Sequence, residues 1–451
     1  MKTLLTPHAL APVHALLDEA ERDLARWSVG ETRGRVPVHT LYGGAHLYRA
    51  DIVKKVGEVS LRAMDEHLPD AARFAHAFDL SGLPNELVRR VHDRVREKLA
   101  AQPVEDQRID FEDGYGVRGD VEEDGHAAQA GAEVAAALRA DALPPWVGIR
   151  LRALTRHTRD RALRTLDVFM GALLDASGGA LPERFLVTLP KVQVPAQAAA
   201  LARALDAVEK VYGLRRGALR VELMIETTPS LLGAHGEVSI GNLLDACDGR
   251  CEAMHLGAYD LTASVGVAAS LQSLGHPLCE LARLLMQVAL AGTGVRVVDG
   301  ATTTLPVAKY RPAPGTALTD EQRRENHLAV REAWRKASED IRRALAHGIH
   351  QGWDLHPNQL VSRYTTLYVH FLGGMDEAVR RLRAFLGQAA RARRSGEVFD
   401  DAATAQAMLG FFLRGIDCGA LREPEVASAL GVSLDVLRTR AFETIVASLG
   451  S

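Results

Sequence analysis

Cysteine is scarce in this chain. Cys247, Cys251, Cys279 and Cys418 are too few and too scattered to staple 451 residues, so free thiols in a reducing cytoplasm are the expected state. Cys247 and Cys251 lie four apart, but a zinc site would need two further ligands that their neighbourhood does not supply. Net charge is scarce as well: 54 Lys and Arg against 57 Asp and Glu leave −3, without the field that draws a protein to nucleic acid or to an anionic membrane. No run of about 18 apolar residues occurs, which argues against a membrane span. The stretch Met1 to Leu17 is broken by Pro7, His8, Pro12 and His14, so no secretory signal core is expected. No Gly-x-Gly-x-x-Gly follows the first expected strand, so the dinucleotide fingerprint is missing.

What is present is material for a large core: 47% hydrophobic and 25% charged residues. Eight short apolar or β-branched runs read as strands, at Val36 to Tyr42, Arg108 to Glu112, Trp146 to Leu151, Phe185 to Leu189, Leu219 to Ile225, Ala253 to Leu256, Val295 to Val298 and Trp353 to Leu355. Between them Ala127 to Arg139, Arg161 to Leu174, Pro195 to Tyr212 and Leu278 to Ala289 have helical spacing, and an amphipathic helix with Leu16, Leu17, Ala20, Leu24 and Trp27 opens the chain. Strands alternating with helices pair in parallel through right-handed crossovers. Eight such units predict an α/β protein with a (β/α)8 TIM barrel, with an open doubly wound sheet as the alternative.

The barrel is expected over 1–375, with an insertion at about 302–347. There a Thr-, Pro- and Gly-rich loop, Thr302 to Leu318, leads into a polar surface helix capped by Thr319 and Gln322 and reaching about His347. A helical appendage is expected over 376–451, with an arginine-rich break at Arg391 to Gly396. Within it Val426 to Arg440, with Gly431 at the turn, has the outline of a helix-turn-helix. Arg438 and Arg440 are outweighed there by Glu425, Asp435 and Glu443, so a packed helical hairpin is expected instead of a DNA reader.

Barrels carry their chemistry at the C-terminal ends of strands. Asp110 and Glu112 alternate onto one face of the second strand while Asp113 begins a loop. Arg150 and Arg152 share a face of the third strand, and each either meets an anionic substrate or pairs with the Asp110 cluster. Glu222, Met224 and Glu226 share a side of the fifth strand, with Glu226 at its exit. In the sixth, Gly257-Ala258 allows close backbone approach before Asp260. Carboxylates from successive strand ends make a hard oxygen site suited to magnesium or manganese, with substrate oxygens and water completing six ligands.

Six short segments, in order, resemble one group. They are Asp110-Phe-Glu-Asp113, Ile149-Arg150, Leu189-Pro-Lys-Val192, Ile225-Glu-Thr227, Gly257-Ala-Tyr-Asp-Leu261 with Gly266, and Leu355-His-Pro357 with Gln359. Together they are similar to the HpcH/HpaI aldolase and citrate lyase beta-subunit superfamily, which includes malyl-CoA lyases and is related to malate synthases. The resemblance implies a carbon–carbon lyase or aldolase acting on a 2-oxo or hydroxy acid, or its CoA thioester, through a metal-stabilised enolate. Glu226 and Asp260 would bind Mg²⁺, Arg150 would contact a 2-oxo or thioester oxygen beside Gly257 and Ala258, and Asp110 or Asp113 would orient Arg150 or a metal-bound water. It also implies a homo-oligomer, a trimer or a multiple of it, in which Gly396-Glu-Val-Phe-Asp400 forms part of a lid over a neighbouring barrel, with Asp400, or its neighbour Asp401, as acid or base. The same residues could instead cap the following helix. Val38-His-Thr-Leu-Tyr-Gly-Gly-Ala-His46 departs from the first strand of CoA-using relatives, and His39 or His46 is a candidate base. A condensing enzyme like malate synthase is the alternative reaction, and a non-catalytic ligand-binding or regulatory barrel the alternative class.

Overall fold

The computed structural model describes residues 5–27, 34–395 and 402–439. Eight parallel strands close into a barrel in sequence order: β1 (His39–Gly44), β2 (Asp106–Asp110), β3 (Trp146–Arg150), β4 (Phe185–Leu189), β5 (Arg220–Ile225), β6 (Cys251–Leu256), β7 (Arg296–Ala301) and β8 (Gly352–Asp354). Each expected strand run overlaps one of them. The helices are α1 (Pro7–Trp27) before the barrel; α2 (Ile52–His67), α3 (Ala71–Ala77) and α4 (Asn85–Ala101) between β1 and β2; and α5 (Asp120–Arg139), α6 (Arg159–Ser177) and α7 (Pro195–Tyr212) in the next three crossovers. α8 (Thr228–Leu231) and α9 (Ile240–Ala246) follow β5, α10 (Ala258–Ser264) and α11 (Pro277–Leu290) follow β6, and α12 (Asp320–Ala346) joins β7 to β8. α13 (Gln359–Ser395), α14 (Ala402–Asp417), α15 (Glu423–Leu430) and α16 (Leu434–Arg438) complete the described chain. None of the described helices is long and apolar enough to cross a membrane.

Outward-facing residues such as Ile109, Ile149, Val187 and Leu223 pack against Phe169, Leu173 and Leu201 of α6 and α7, forming the main core outside the strands. Inside the barrel the filling is largely polar. Asp106, Arg108, Glu222 and His255 are fully buried. The Arg108 guanidinium donates to both Asp106 oxygens at 3.0 and 2.9 Å and lies 2.9 Å from Glu222 Oε2. Thr188 donates to Glu222 at 2.8 Å, and Trp353 Nε1 donates to His255 Nδ1 at 2.6 Å. Gly148 makes room for this layer, since a Cβ there would meet Arg108 Nη1 and the Leu186 carbonyl, both at 2.1 Å. Ion pairs so deep hold only because both partners are present.

Two expectations about the C-terminal half are corrected. The 302–347 stretch is not wholly an insertion: α12 is the crossover helix that every β-to-β step of the barrel needs, and only the loop before it is extra. The Thr319 cap is present, with Thr319 N donating to Gln322 Oε1 at 3.0 Å and Gln322 N to Thr319 Oγ1 at 3.2 Å. Yet α12 is not simply a surface helix, because Val330, Trp334, Ala337 and Ile341 bury one of its faces.

α13 runs unbroken through 375/376, where the appendage was expected to begin. It starts at the mouth end, where Gln359 Oε1 accepts from the Leu355 and His356 amides at 2.7 and 3.1 Å. It then descends past the strands' N-terminal ends, where the Tyr364 hydroxyl donates to the Pro103 carbonyl at 2.9 Å. α14 to α16 share a core with α4 and α13 through Phe412, Val426, Leu430 and Leu437. Gly431, with φ +72°, turns α15 into α16, and Val432 is buried beside them, so this segment forms a packed helical hairpin.

His39 lies at the closed end, not at the mouth, which removes it as a candidate base. Its Nε2 accepts from the Glu105 amide at 3.1 Å, and burial pushes its pKa down to about 4. The stability gained by keeping it neutral is therefore full above about pH 6.5 and is lost as the pH falls toward about 4. The two values correspond to about 3 kcal/mol. The thermal midpoint should fall across that interval, and His39→Gln, which keeps an acceptor, should flatten the fall; an unchanged slope would assign it to other groups.

Candidate active site at the barrel mouth

The ends of β1, β2, β3, β5, β6, β7 and β8 surround a cavity of about 480 Å³ whose lining includes Asp110, Asp113, Arg150, Glu226, Gly257 and Asp260. Register brings the first pair together, because Asp110 stands opposite Arg150 across β2 and β3. Arg150 Nε donates to Asp110 Oδ1 at 2.7 Å and a terminal nitrogen to Oδ2 at 2.5 Å. The same carboxylate accepts the Glu112 amide at 2.9 Å and the Gly114 amide at 2.7 Å. Asp110 is thus fully engaged in fixing Arg150 and the following loop, which makes it a positioning residue. The free edge of Arg150, Nη1, lies 3.5 Å from Glu112 and 3.6 Å from Asp113. Its guanidinium carbon stands 4.9 Å from the Tyr42 ring centroid and 5.8 Å from that of Trp353, an arrangement that holds a planar cation in place.

Arg152 does not join this group. β3 ends at Arg150, and Arg152 instead pairs with the buried Glu123 of α5 at 2.8 Å, a structural ion pair behind the mouth. His46 follows β1 on the mouth side, its ring tilted against those of Tyr115 and His126, and is not among the residues lining the cavity. Asp400 and Asp401 lie outside the described residues, and the chain leaves α13 at Ser395 on the side away from the mouth.

Glu226 is 2% exposed just beyond β5. Burial, reinforced by the charge of Asp260, pushes its pKa up to about 8. Gly257 exists for this carboxylate: a Cβ there would lie 2.3 Å from Glu226 Oε2 and 2.4 Å from its Cβ. Ala258 begins α10, which carries the half-exposed Asp260.

The structure adds a residue that the strand-end reading passed over. Lys191, two residues beyond β4, has φ +51°, a backbone conformation that lysine seldom adopts. Its amide donates to Glu226 Oε1 at 2.6 Å. Its ammonium bonds Glu112, lies 3.1 Å from Asp113 and stands 3.8 Å from Asp260. Burial alone would lower its pKa, but the Glu112 hydrogen bond and the surrounding carboxylates hold it above the ordinary value. Glu112 in turn is pushed up to about 7 by burial and by Asp113 beside it. Lys191 stood within the Leu-Pro-Lys-Val segment at a strand exit, so position alone could have singled it out. Its left-handed backbone could not have been read.

Among the described residues no three His, Cys, Asp or Glu side chains are arranged to hold a metal by themselves. The mouth offers a carboxylate pair, Glu226 and Asp260. A magnesium ion commonly binds through one or two carboxylates, leaving the other positions to water and substrate. Charge favours that fit. Arg150 is held by Asp110, and the Lys191 ammonium lies closer to Glu112 and Asp113 than to Asp260 at 3.8 Å, while the charge of Asp260 helps to push the Glu226 pKa up.

A closed eight-stranded parallel barrel with its polar groups at the C-terminal mouth defines the (β/α)8 class. The chain belongs to the family described as domain of unknown function DUF6986, whose model matches residues 17–445. No curated protein matches it. Among solved structures, a citrate lyase from Burkholderia xenovorans LB400 aligns at 18% identity with a TM-score of 0.52, over 90% of this chain and 99% of that one. This likeness shows a shared fold. Malate synthase from Haloferax volcanii in a magnesium and glyoxylate complex aligns at 16% identity and TM-score 0.46, over 73% of this chain and 75% of that one. The protein CitE from Mycobacterium tuberculosis, in complex with magnesium, acetoacetate and coenzyme A, aligns at 18% identity and TM-score 0.43, over 86% and 99%.

Gly257→Ala is expected to force the Glu226 side chain or the β6 exit aside, at a cost of about 1–3 kcal/mol typical of overpacking. Thermal unfolding should show a lowered midpoint with unchanged far-ultraviolet circular dichroism. A midpoint equal to that of the wild type would mean that the backbone gives way freely at this point.

Proposed function

We propose that this protein is an enzyme of the citrate lyase type that breaks or forms a carbon–carbon bond beside a carbonyl of a 2-oxo or hydroxy acid, or of its CoA thioester. The observation that carries the reading is the charge balance of the mouth, where the Arg150 and Lys191 cations lie closest to Asp110 and Glu112 while, of the remaining pair Glu226 and Asp260, the charge of the second helps to push up the pKa of the first. These two would hold Mg²⁺, or Mn²⁺ in its place. Once bound, such an ion supplies Lewis acidity to a substrate carbonyl and neutralises a carboxylate beside it.

The chain's own groups do the rest. Asp110 fixes Arg150 in two-pronged contact, so its free edge, preorganised against Tyr42 and Trp353, can donate to an oxygen on which negative charge develops. Asp113, which lies 57% exposed beside Arg150 and Lys191, is placed to orient a water or to carry a proton at the rim. Lys191 fixes Glu226 through its amide and keeps Glu112 and Asp113 from repelling an anionic substrate. Gly257 and Ala258 line the same cavity, where they would border a bound substrate. The half-exposed Leu355 and exposed Leu47 border the entrance, where apolar contact would exclude water. In the lid that the resemblance implies, an acid or base from Asp400 would serve a second copy of the chain in a homo-oligomer.

Two tests follow. Glu226→Gln and Asp260→Asn should each lower magnesium affinity at least about tenfold, within the range seen when a site loses one ligand or its support. Calorimetric titration of the metal, together with carbon–carbon cleavage of 4-hydroxy-2-oxo acids and condensation of glyoxylate with acetyl-CoA, checks this. Wild-type activity that survives exhaustive chelation would falsify the metal-dependent reading. Arg150→Lys keeps the charge but loses the fork, and kcat should fall about 100-fold or more, the scale of a lost oxyanion donor. A near-normal kcat would make Arg150 a structural partner of Asp110.

A further inference from the structure

Trp353 on β8 and His255 on β6 meet across the interior of the barrel, past the intervening strand β7. The indole nitrogen donates to His255 Nδ1 at 2.6 Å, and both residues are buried. Around the indole the interior is apolar, with Tyr42, Met224, Val298 and Ala301 packed against Trp353 in one cluster. An indole can only donate, so in such surroundings its nitrogen needs an acceptor that brings no charge. The direction of the bond gives the state of the imidazole. Nδ1 accepts and therefore carries no proton, so His255 is neutral with its proton on Nε2. That nitrogen lies 3.3 Å from Glu222 Oε1, and Glu222 is held in turn by Arg108 and Thr188.

A buried histidine that satisfies an indole could serve packing alone. What sets this one apart is where the indole leads. Trp353 lines the mouth cavity together with Tyr42, and the two ring centroids are 4.5 Å apart. The Arg150 guanidinium carbon lies over both rings, 4.9 Å from the first centroid and 5.8 Å from the second. Asp110 grips one edge of that guanidinium, through Nε and a terminal nitrogen, whereas the rings back its face. Turning the indole would withdraw this backing, and its single polar atom is anchored on His255.

We propose that His255 is a positioning residue for the reaction at the mouth: it locks Trp353 into the ring pair that backs Arg150, so that the free edge of Arg150 is aimed before negative charge develops on a substrate oxygen. The inference rests on the role proposed above for Arg150 and adds the buried groups that keep it in aim.

The test uses three substitutions in the full chain. Trp353→Phe keeps a ring but removes the donor, His255→Leu removes the acceptor, and His255→Asn restores an acceptor near the place of Nδ1. Each of the first two should lower kcat about 10-fold, the scale of a small misplacement at a reacting group, with KM within about twofold. His255→Asn should return kcat to within about threefold of the wild type. In the Trp353→Phe background, His255→Leu should cost less than about twofold more, because the two residues act as one unit. Binding gives a readout free of turnover. With magnesium present, calorimetry should show oxalate, a stable analogue of a pyruvate enolate, weakened about 10-fold by Trp353→Phe, and pyruvate by less than about twofold. Trp353→Phe leaves the buried charges in place, so it carries the test even where His255→Leu does not fold. The inference is overturned if Trp353→Phe keeps wild-type kcat and oxalate affinity, if it weakens oxalate and pyruvate alike, if His255→Asn is as slow as His255→Leu, or if the effects of His255→Leu and Trp353→Phe multiply. Wild-type protein that neither catalyses the cleavage or condensation reactions above nor binds oxalate overturns the proposed function, and this inference with it.

Discussion

The barrel rests on a column of buried charge. At its middle Arg108 is held between Asp106 and Glu222, and above it Arg150 is held by Asp110. Every group in the column is removed from water and stable only because its partner is present. Interior layers of Val, Ile and Leu would fill a barrel more simply. Here the strands instead spend their inward positions on a polar scaffold that ends at the mouth in a fixed guanidinium. The chemistry at the top thus stands on the electrostatics beneath it, and the register of β2 against β3 is what aligns the two.

Much of the fold was legible because strand and helix periods differ. Most of the eight strands announced themselves as short apolar or β-branched runs, and the helix expected over Pro195 to Tyr212 is α7 with the same bounds. What misled was context. α12 reads as polar on average, yet Trp334 and its neighbours bury one stripe of it, so its role as the last crossover helix was hidden by its composition. At the mouth, strand-end acids and Arg150 could be singled out from position alone. Their partners could not: Arg152 is drawn to Glu123 on α5, a contact between a loop and a helix that no local pattern encodes. His39 shared a strand with the site but sat at its other end, and strand direction rather than residue type decided its role.

The two ends of the barrel are supported differently. The mouth is framed by loops and by Gln359, which pins the β8 exit by accepting two amides and donating to the Thr302 carbonyl at 2.7 Å. The closed end is sheathed by α4, α13 and α14 to α16, where Tyr368 donates to the Cys418 carbonyl at 2.9 Å and Arg94 bonds Glu425. The described C-terminal helices therefore brace the base on which the strands stand. A change in α15 reaches the site, if at all, through the barrel frame.

Lys191 shows where two demands on one residue diverge. The other described non-glycine residues with positive φ are Asp79, Asp141 and Asp248, a residue type that tolerates that region, whereas lysine gains nothing there to offset the strain. Glycine at 191 would relax the backbone, yet it would withdraw the ammonium from Glu112, Asp113 and Asp260. Screening variants for thermal resistance alone would then favour a substitution that dismantles the mouth. At this position robustness and usefulness are opposed, so a sturdier version of the molecule is not automatically a working one.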